Sequence, residues 1–132
     1  MPRYMLDTNT VSDFIKGQPR VDEHVMSVPM STICISVITE AALLYGLARR
    51  PEATRLHRTV DQLLKRLDVL PWDRSVATCY GTLCADLMRR GATLGALDLQ
   101  IAAHALAMNA ILITHDRAFQ YVETLTTQDW RL

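Results

Sequence analysis

The feature that most constrains the fold of this chain is its alternation of short apolar segments with amphipathic ones. Residues 33–37 and 110–114 are apolar or β-branched almost throughout, which is typical of strands buried on both faces. Residues 3–6 and 68–72 are two further predicted strands. Apolar residues at helical spacing fill the intervals, most clearly over residues 52–67. The alternation predicts an α/β fold in three layers, with a central parallel sheet of about four or five short strands flanked by helices.

Capping residues and helix breakers predict the remaining elements. The side-chain oxygens of Thr8, Asn9 and Thr10 are candidate N-caps for a first short helix, which Gly17 and Pro19 end. The other predicted pieces are helices at residues 11–16, 21–27, 39–50, 74–90 and 97–108, a short segment at 117–121 and a tail ending in Asp129-Trp130.

Length and composition bound the class of protein. The 132 residues, 49% of them hydrophobic, predict a single domain spanning residues 1–132. Net charge is +0, so any contact with nucleic acid must come from local basic patches. Three cysteines without regular spacing argue against a disulfide framework or a zinc cluster and favour reduced thiols in a cytoplasmic protein. No segment approaches the roughly 20 apolar residues of a membrane span.

Acidic residues occupy the ends of the predicted strands. Asp7 follows the first strand, Asp116 follows the fourth, and Asp98 lies in the first turn of its helix. Carboxyl ends of parallel strands meet at one sheet edge, where clustered carboxylates repel each other unless a hard cation such as Mg²⁺ or Mn²⁺ neutralises them. Such a site is suited to phosphodiester hydrolysis by a metal-activated water. Singly, each acid could instead be a helix cap, a helix-dipole partner or a turn residue.

Four segments of the chain resemble the PIN domain, and within it the VapC toxins of bacterial toxin–antitoxin pairs. The segments, in order, are Tyr4-Met5-Leu6-Asp7-Thr8-Asn9, residues 35–46, Asp98–Ala105 and Ile113-Thr114-His115-Asp116. The resemblance covers essentially the whole chain. It implies a metal-dependent endoribonuclease that forms a homodimer and is held inactive by a VapB antitoxin. Transfer RNA is the substrate that the family suggests.

The resemblance also implies which residues form the site. Asp7, Asp98 and Asp116 match the family's acidic positions and would hold Mg²⁺ or Mn²⁺. Thr8, Asn9 and Thr114 match the polar residues beside them and would orient these ligands from behind. The position of His115 next to Asp116 suggests the same supporting role, with an ordinary turn residue as the alternative.

Position 42 departs from the family pattern. The family typically carries a Glu four residues before the Gly of its Tyr-Gly pair, and here that position holds Ala42. Glu40 could reach the site from a frayed first turn, or the chain could lack this ligand; we favour the second, because two residues is about 200° around a helix. Natural loss and deliberate disarming of a toxic nuclease both remain open. We expect weakened metal binding and turnover with the fold retained.

Arginines near the acidic positions are candidate RNA contacts. Arg89 and Arg90 precede the Asp98 loop, and Arg117 follows Asp116. An ordinary helix end, where cations are favoured by the helix dipole, explains the arginine pair equally well.

Two rival functions remain at this stage. A phosphotransferase of the haloacid dehalogenase type would use Asp7 as nucleophile, but its second Asp would fall at Asn9, and Lys16 and Lys65 are the only lysines. A PIN-like module that binds RNA or protein without chemistry is the stronger rival, because Ala42 removes an expected acid.

Overall fold

The computed structural model describes residues 2–132 and contains one five-stranded parallel sheet. Its strand order is β3-β2-β1-β4-β5, so the first strand lies at the centre. The strands are β1 (Tyr4–Leu6), β2 (Ile33–Ser36), β3 (Asp68–Leu70), β4 (Ile111–Ile113) and β5 (Thr127–Gln128). The α/β fold predicted from the sequence is confirmed.

Six helices surround the sheet. They are α1 (Thr8–Ile15), α2 (Pro19–Ser27), α3 (Val37–Ala48), α4 (Thr54–Arg66), α5 (Arg74–Arg89) and α6 (Ala96–Ala107), with 3₁₀ turns at Met30–Thr32 and Arg117–Tyr121. Within residues 2–132 no helix is both long and apolar enough to cross a membrane.

Two apolar clusters hold the three layers together. Helices α5 and α6 cover one face of the sheet, where Leu83, Leu87 and Ile101 pack against strand residues such as Leu112. Helices α1, α2 and α4 cover the other face, with Val11, Val21 and Leu63 in one cluster with Leu6, Ile33 and Ile35. Strand side chains that alternate between two buried faces explain why β1, β2 and β4 are mostly apolar.

Helix α1 begins three residues earlier than the sequence predicted. Its N-cap is Asp7, whose carboxylate accepts a hydrogen bond of 2.8 Å from the backbone N–H of Thr10. Thr8, Asn9 and Thr10, the expected caps, are instead the first helical residues. The carboxylate one position upstream satisfies the free N–H groups of the first turn, so the hydroxyls are not needed for this purpose.

Strand β5 was not predicted. Thr127 and Gln128 are both exposed and give no hydrophobic alternation. They are recruited by β4, with the Thr114 N–H donating to the Gln128 carbonyl at 2.9 Å.

Candidate acidic site at the sheet edge

The ends of β1 and β4 place Asp7 beside Thr114. Leu6 and Ile113 are partners in the parallel ladder, and the Asp7 N–H donates to the Ile113 carbonyl at 3.1 Å. The Thr10 hydroxyl donates to the same carbonyl at 3.0 Å. Asp7 is therefore fixed by the sheet through its backbone and by α1 through its side chain, and it is 5% exposed.

Asp116 begins the 117–121 turn, the 3₁₀ segment that follows β4. Its Oδ1 accepts a hydrogen bond of 2.9 Å from the Ala118 N–H, and its own N–H donates to the Thr114 hydroxyl at 3.0 Å. These bonds fix the local backbone while the carboxylate stays exposed to solvent. Thr114 therefore positions the backbone that carries Asp116.

The surroundings of Asp98 change the pKa of its carboxyl group. It lies in the first turn of α6 and is half-buried. Burial raises the pKa of its carboxyl above the usual range, and the negative charges of Asp116 and Asp7 raise that pKa further. The charges of Asp116 and Asp7 thus act on the carboxyl group of Asp98.

The three site carboxylates form no ion pair with a basic side chain within residues 2–132. Within the part of the chain that the structure describes, Asp7, Asp98 and Asp116 take part in none of the ion pairs. The donor set is all carboxylate, and one Asp7 oxygen and one Asp116 oxygen are occupied by backbone N–H groups. Uncompensated carboxylate oxygens are the ligands that Mg²⁺ and Mn²⁺ prefer, so the donor chemistry fits a hard divalent cation.

The side chains are not drawn together into a closed ligand cage. Among residues 2–132 no three His, Cys, Asp or Glu side chains stand close enough to hold one metal between them. Repulsion between carboxylates favours such an open arrangement, because none of the three acids forms an ion pair within residues 2–132.

Helix α3, which carries position 42, approaches the start of α1. The Thr8 hydroxyl lies 3.4 Å from that of the buried Thr39, which brings the start of α1 against the first turn of α3. Ala42 is three residues on, about 60° from Thr39 around the helix, whereas Glu40 is about 100° away. A Cβ at Gly46, one turn beyond Ala42, would meet no atom within 4 Å, so this face has room for a larger side chain.

The C-terminal tail reaches the acidic site, a contact that the sequence did not predict. The carboxylate of Asp129 lies 2.6 Å from Nδ1 of His115, and Arg131 forms two hydrogen bonds to Asp13 on α1, at 2.8 and 2.9 Å. Asn9, His115 and Asp116 line a surface cavity of about 410 Å³ together with Ser12, Asp13, Lys16 and Arg131. Tail residues more than 100 positions from α1 leave no local signal in the sequence.

The predicted RNA contacts lie at two places. Arg117 is exposed directly after Asp116. Arg90 lies at the end of α5, in ion pairs with Asp86 and Glu123, and Arg89 lies 3.8 Å from Asp86. The carboxylates of Asp86 and Glu123 thus offset part of the positive charge of the two arginines. The contact of these arginines with RNA stays a prediction.

Comparison with known proteins gives consistent results. The family model for the PIN domain matches residues 4–125. The tRNA(fMet)-specific endonuclease VapC of Shigella flexneri is 34% identical over 131 residues, covering 98% of this chain and 99% of that protein. Ribonuclease VapC1 of Haemophilus influenzae strain R2866 is 35% identical over 130 residues, covering 96% and 97%. The structure of DNA-bound VapBC from Salmonella typhimurium superposes with a TM-score of 0.91 at 33% identity, covering 98% of this chain and 99% of that one.

Proposed function

Since this chain belongs to the PIN domain family, we propose that it is a divalent-metal-dependent endoribonuclease and the toxin of a VapBC-type toxin–antitoxin pair. We further propose that Ala42 impairs its activity. The relatives support the first part, because they are named ribonucleases and endonucleases over nearly the whole length of this chain. The solved VapBC structures support a VapB-type antitoxin as the partner.

One observation carries the assignment of the site. The pKa of Asp98 is raised by burial and by the charges of Asp116 and Asp7, and no described cation offsets them. A folded protein that keeps mutually repelling carboxylates at one sheet edge loses stability by doing so, which favours a ligand-binding role for them. We assign Asp7, Asp98 and Asp116 as the ligands of Mg²⁺ or Mn²⁺.

When bound, the cation would supply a nucleophilic hydroxide at neutral pH and offset charge on the phosphate that is attacked. The chain's own residues provide position. The Thr10 N–H and the Ala118 N–H each hold one carboxylate oxygen, of Asp7 and Asp116, which leaves their second oxygens for the cation. Thr114 fixes the backbone of Asp116 from behind.

We propose that Ala42 stands where a fourth carboxylate would complete this set. Around the axis of α3, position 42 lies about 40° nearer to Thr39 than Glu40 does. This favours position 42 over Glu40 as the position that faces Asp7. The open space beside Gly46 supports the expectation that a glutamate at position 42 would fit without repacking.

The substrate is proposed by analogy. The Shigella relative is named for an initiator transfer RNA, so transfer RNA is the first substrate to test. We place the protein in the cytoplasm, where such RNA is found, and infer the homodimer from the family resemblance alone.

A second function is a PIN-like binding module without chemistry. Two observations favour it, the alanine at position 42 and the open arrangement of the acids. In this case the acidic edge would bind a partner, and restoring a carboxylate would produce no nuclease.

The experiment compares the unchanged chain with its Ala42→Glu variant for Mg²⁺- or Mn²⁺-dependent cleavage of purified transfer RNA. We expect cleavage by the variant to exceed that of the unchanged chain by roughly 10–100-fold or more. Adding Asp98→Asn to Ala42→Glu should abolish cleavage, and Ala41→Glu is a matched control on an exposed position of α3. No cleavage by Ala42→Glu would favour the binding module.

A further inference from the structure

The 117–121 turn carries an exposed aromatic ring and an arginine next to the acidic site. Tyr121 is 55% exposed, and Arg117 and Gln120 are exposed as well. With Ala118 they line a surface cavity of about 590 Å³. The proposed hydrolysis uses neither the Tyr121 ring nor the Arg117 guanidinium. Their position beside the acidic site is therefore compatible with a separate role in binding.

The backbone beneath the ring is held from two sides. Phe119 and Val122, the buried neighbours within and just after the turn, are 1% and 2% exposed. From α5, Arg90 donates a hydrogen bond of 2.7 Å to the Tyr121 carbonyl, and Arg90 is itself held by Asp86 at 3.0 Å. Tyr121 therefore projects into solvent from a fixed support, which lowers the entropy lost when a ligand stacks on it.

The row of residues along the turn keeps one side of the ring accessible. Residues three apart in a 3₁₀ helix lie above one another, so Ala118 is the neighbour of Tyr121 and Arg117 that of Gln120. A methyl group covers little of an aromatic face. Within residues 2–132 Arg117 belongs to none of the ion pairs, so its guanidinium is available to an anion.

The spacing from the acidic site suits a nucleotide chain. Asp116 caps this turn, and a rise of about 2 Å per residue puts the Tyr121 Cα roughly 10 Å from the Asp116 Cα along the axis. At roughly 3.4 Å per stacked nucleotide, this is about three steps of one strand. Arg117 lies between the two positions.

We propose that the 117–121 turn is a binding site for single-stranded RNA, in which Tyr121 stacks on a base and Arg117 binds a phosphate between that base and the scissile bond. This inference rests on the proposed ribonuclease function and adds a substrate subsite to it. Stacking on an exposed aromatic ring is tolerant of base identity and is how proteins commonly hold single strands. A protein partner would instead favour an apolar patch, whereas the other exposed side chains that line this cavity, Arg117 and Gln120, are polar.

Binding can be measured without cleavage. A fluorescently labelled short oligoadenylate is titrated with the unchanged chain in EDTA, and fluorescence anisotropy is recorded over a range of salt concentrations. Tyr121→Ala should weaken binding roughly 5- to 100-fold without changing the salt dependence. Tyr121→Trp should retain binding. Arg117→Ala should reduce the slope of log affinity against log salt by about 0.7, as expected for one lost phosphate contact on a single strand.

A matched control comes from α3. Tyr45 is 64% exposed, and Tyr45→Ala removes the same ring from a different surface. It should leave affinity and salt slope unchanged. Thermal unfolding of each variant verifies that the fold is retained.

Four results would overturn the proposal. The first is failure of the unchanged chain to bind the oligonucleotide. The others are equal affinity for Tyr121→Ala and the unchanged chain, an equal effect of Tyr45→Ala, and a change of oligomeric state in Tyr121→Ala, which would assign the ring to a protein contact. Cleavage by the Ala42→Glu chain tests the ribonuclease proposal separately, so the two can fail independently.

Discussion

Strand β1 has two neighbours in the sheet, and the regions where they end differ in charge. Beyond β4, His115 pairs with Asp129 and Asp13 pairs with Arg131, so the region is held by charged hydrogen bonds. Beyond β2, the contacts join neutral groups: the hydroxyls of Ser36 and Thr39 and the ring of His104.

The neutral region is the more deeply buried one. His104 is 0% exposed, its Nδ1 lies 2.7 Å from the Ser36 hydroxyl, and the Trp72 ring packs 5.7 Å from it, edge to face. Burial lowers the pKa of His104, which outweighs the opposite effects of the Asp73 charge and the Pro71 carbonyl. Burial therefore favours the neutral form of the ring, because a charge there would lack solvent.

The comparison of the two regions shows where this fold places its charged groups. Asp13 and Asp129 lie where a basic partner reaches them, and the interior contact between α6 and β2 uses groups that need no counterion. Position 42 lies on α3, which starts in the neutral region. The fold therefore does not require a carboxylate there, which agrees with our expectation that Ala42 affects activity and leaves the fold intact.

The largest expected effect on stability is in the neutral region. Ser36→Ala removes the N-cap of α3, whose hydroxyl oxygen accepts from the Ile38 N–H at 3.0 Å, and leaves the buried Nδ1 of His104 without a partner. We expect the free energy of unfolding to fall by about 2 kcal/mol. Urea unfolding measures it. Thr59→Ala, at an exposed hydroxyl on α4, is the control and should change stability by less than about 0.5 kcal/mol. An equal decrease in the free energy of unfolding in both variants would mean that the buried contact between Ser36 and His104 does not stabilise the protein more than an exposed hydroxyl does.

A smaller effect is expected in the charged region. The hydrogen bond from Arg131 holds the pKa of Asp13 below its usual range. Stability from this pair is therefore present above the unfolded-state pKa and is lost as pH falls through the folded-state value. Arg131→Ala should destabilise the protein by roughly 0.5–1 kcal/mol near neutral pH, given that the arginine is partly exposed.

Unfolding measured from neutral to acid pH checks this expectation. The difference in free energy of unfolding between Arg131→Ala and the parent should disappear as Asp13 becomes protonated. Arg20→Ala breaks a surface-exposed ion pair with Glu23, and its stability should not differ from that of the parent in this pH-dependent way. A pH-independent loss in Arg131→Ala would indicate lost packing and no contribution from the ion pair.

The smallest effect is expected at Asp98 and has the opposite sign. Its pKa is raised, so the ionised carboxylate is disfavoured in the folded state, and the associated stability is lost as pH rises through the folded-state value. Asp98→Asn should therefore raise the melting temperature in EDTA at neutral pH and leave it unchanged at acid pH.

The control for Asp98→Asn is Asp61→Asn, which removes an exposed acid paired with Lys65 at 3.2 Å and should give no gain. Added Mg²⁺ should stabilise the parent more than Asp98→Asn. If Asp98→Asn is no more stable than the parent at any pH, the carboxylates do not repel each other as described.

The sequence was informative where periodicity or burial governs structure. The apolar segments of β2 and β4 predicted the sheet. The acids that follow the strands predicted a shared edge, and both predictions came from local patterns. Strand β5 escaped prediction because two exposed residues pair only through their backbones. The contacts of Asp129 and Arg131 escaped because they join segments far apart in the chain. The roles of the predicted site residues and the single domain over 1–132 stay predictions.

The double use of Asp7 has a consequence for how such a protein can lose its toxicity. One oxygen of this carboxylate caps α1, and in the proposed function the other binds the cation. A genetic selection for survivors of the Ala42→Glu chain should therefore recover different mutations at different acids. At Asp98 many replacements would abolish killing and leave abundant protein, whereas at Asp7 only residues that cap a helix, such as asparagine or serine, would do so. Survivors with non-capping residues at position 7 should show low protein levels as well as lost toxicity.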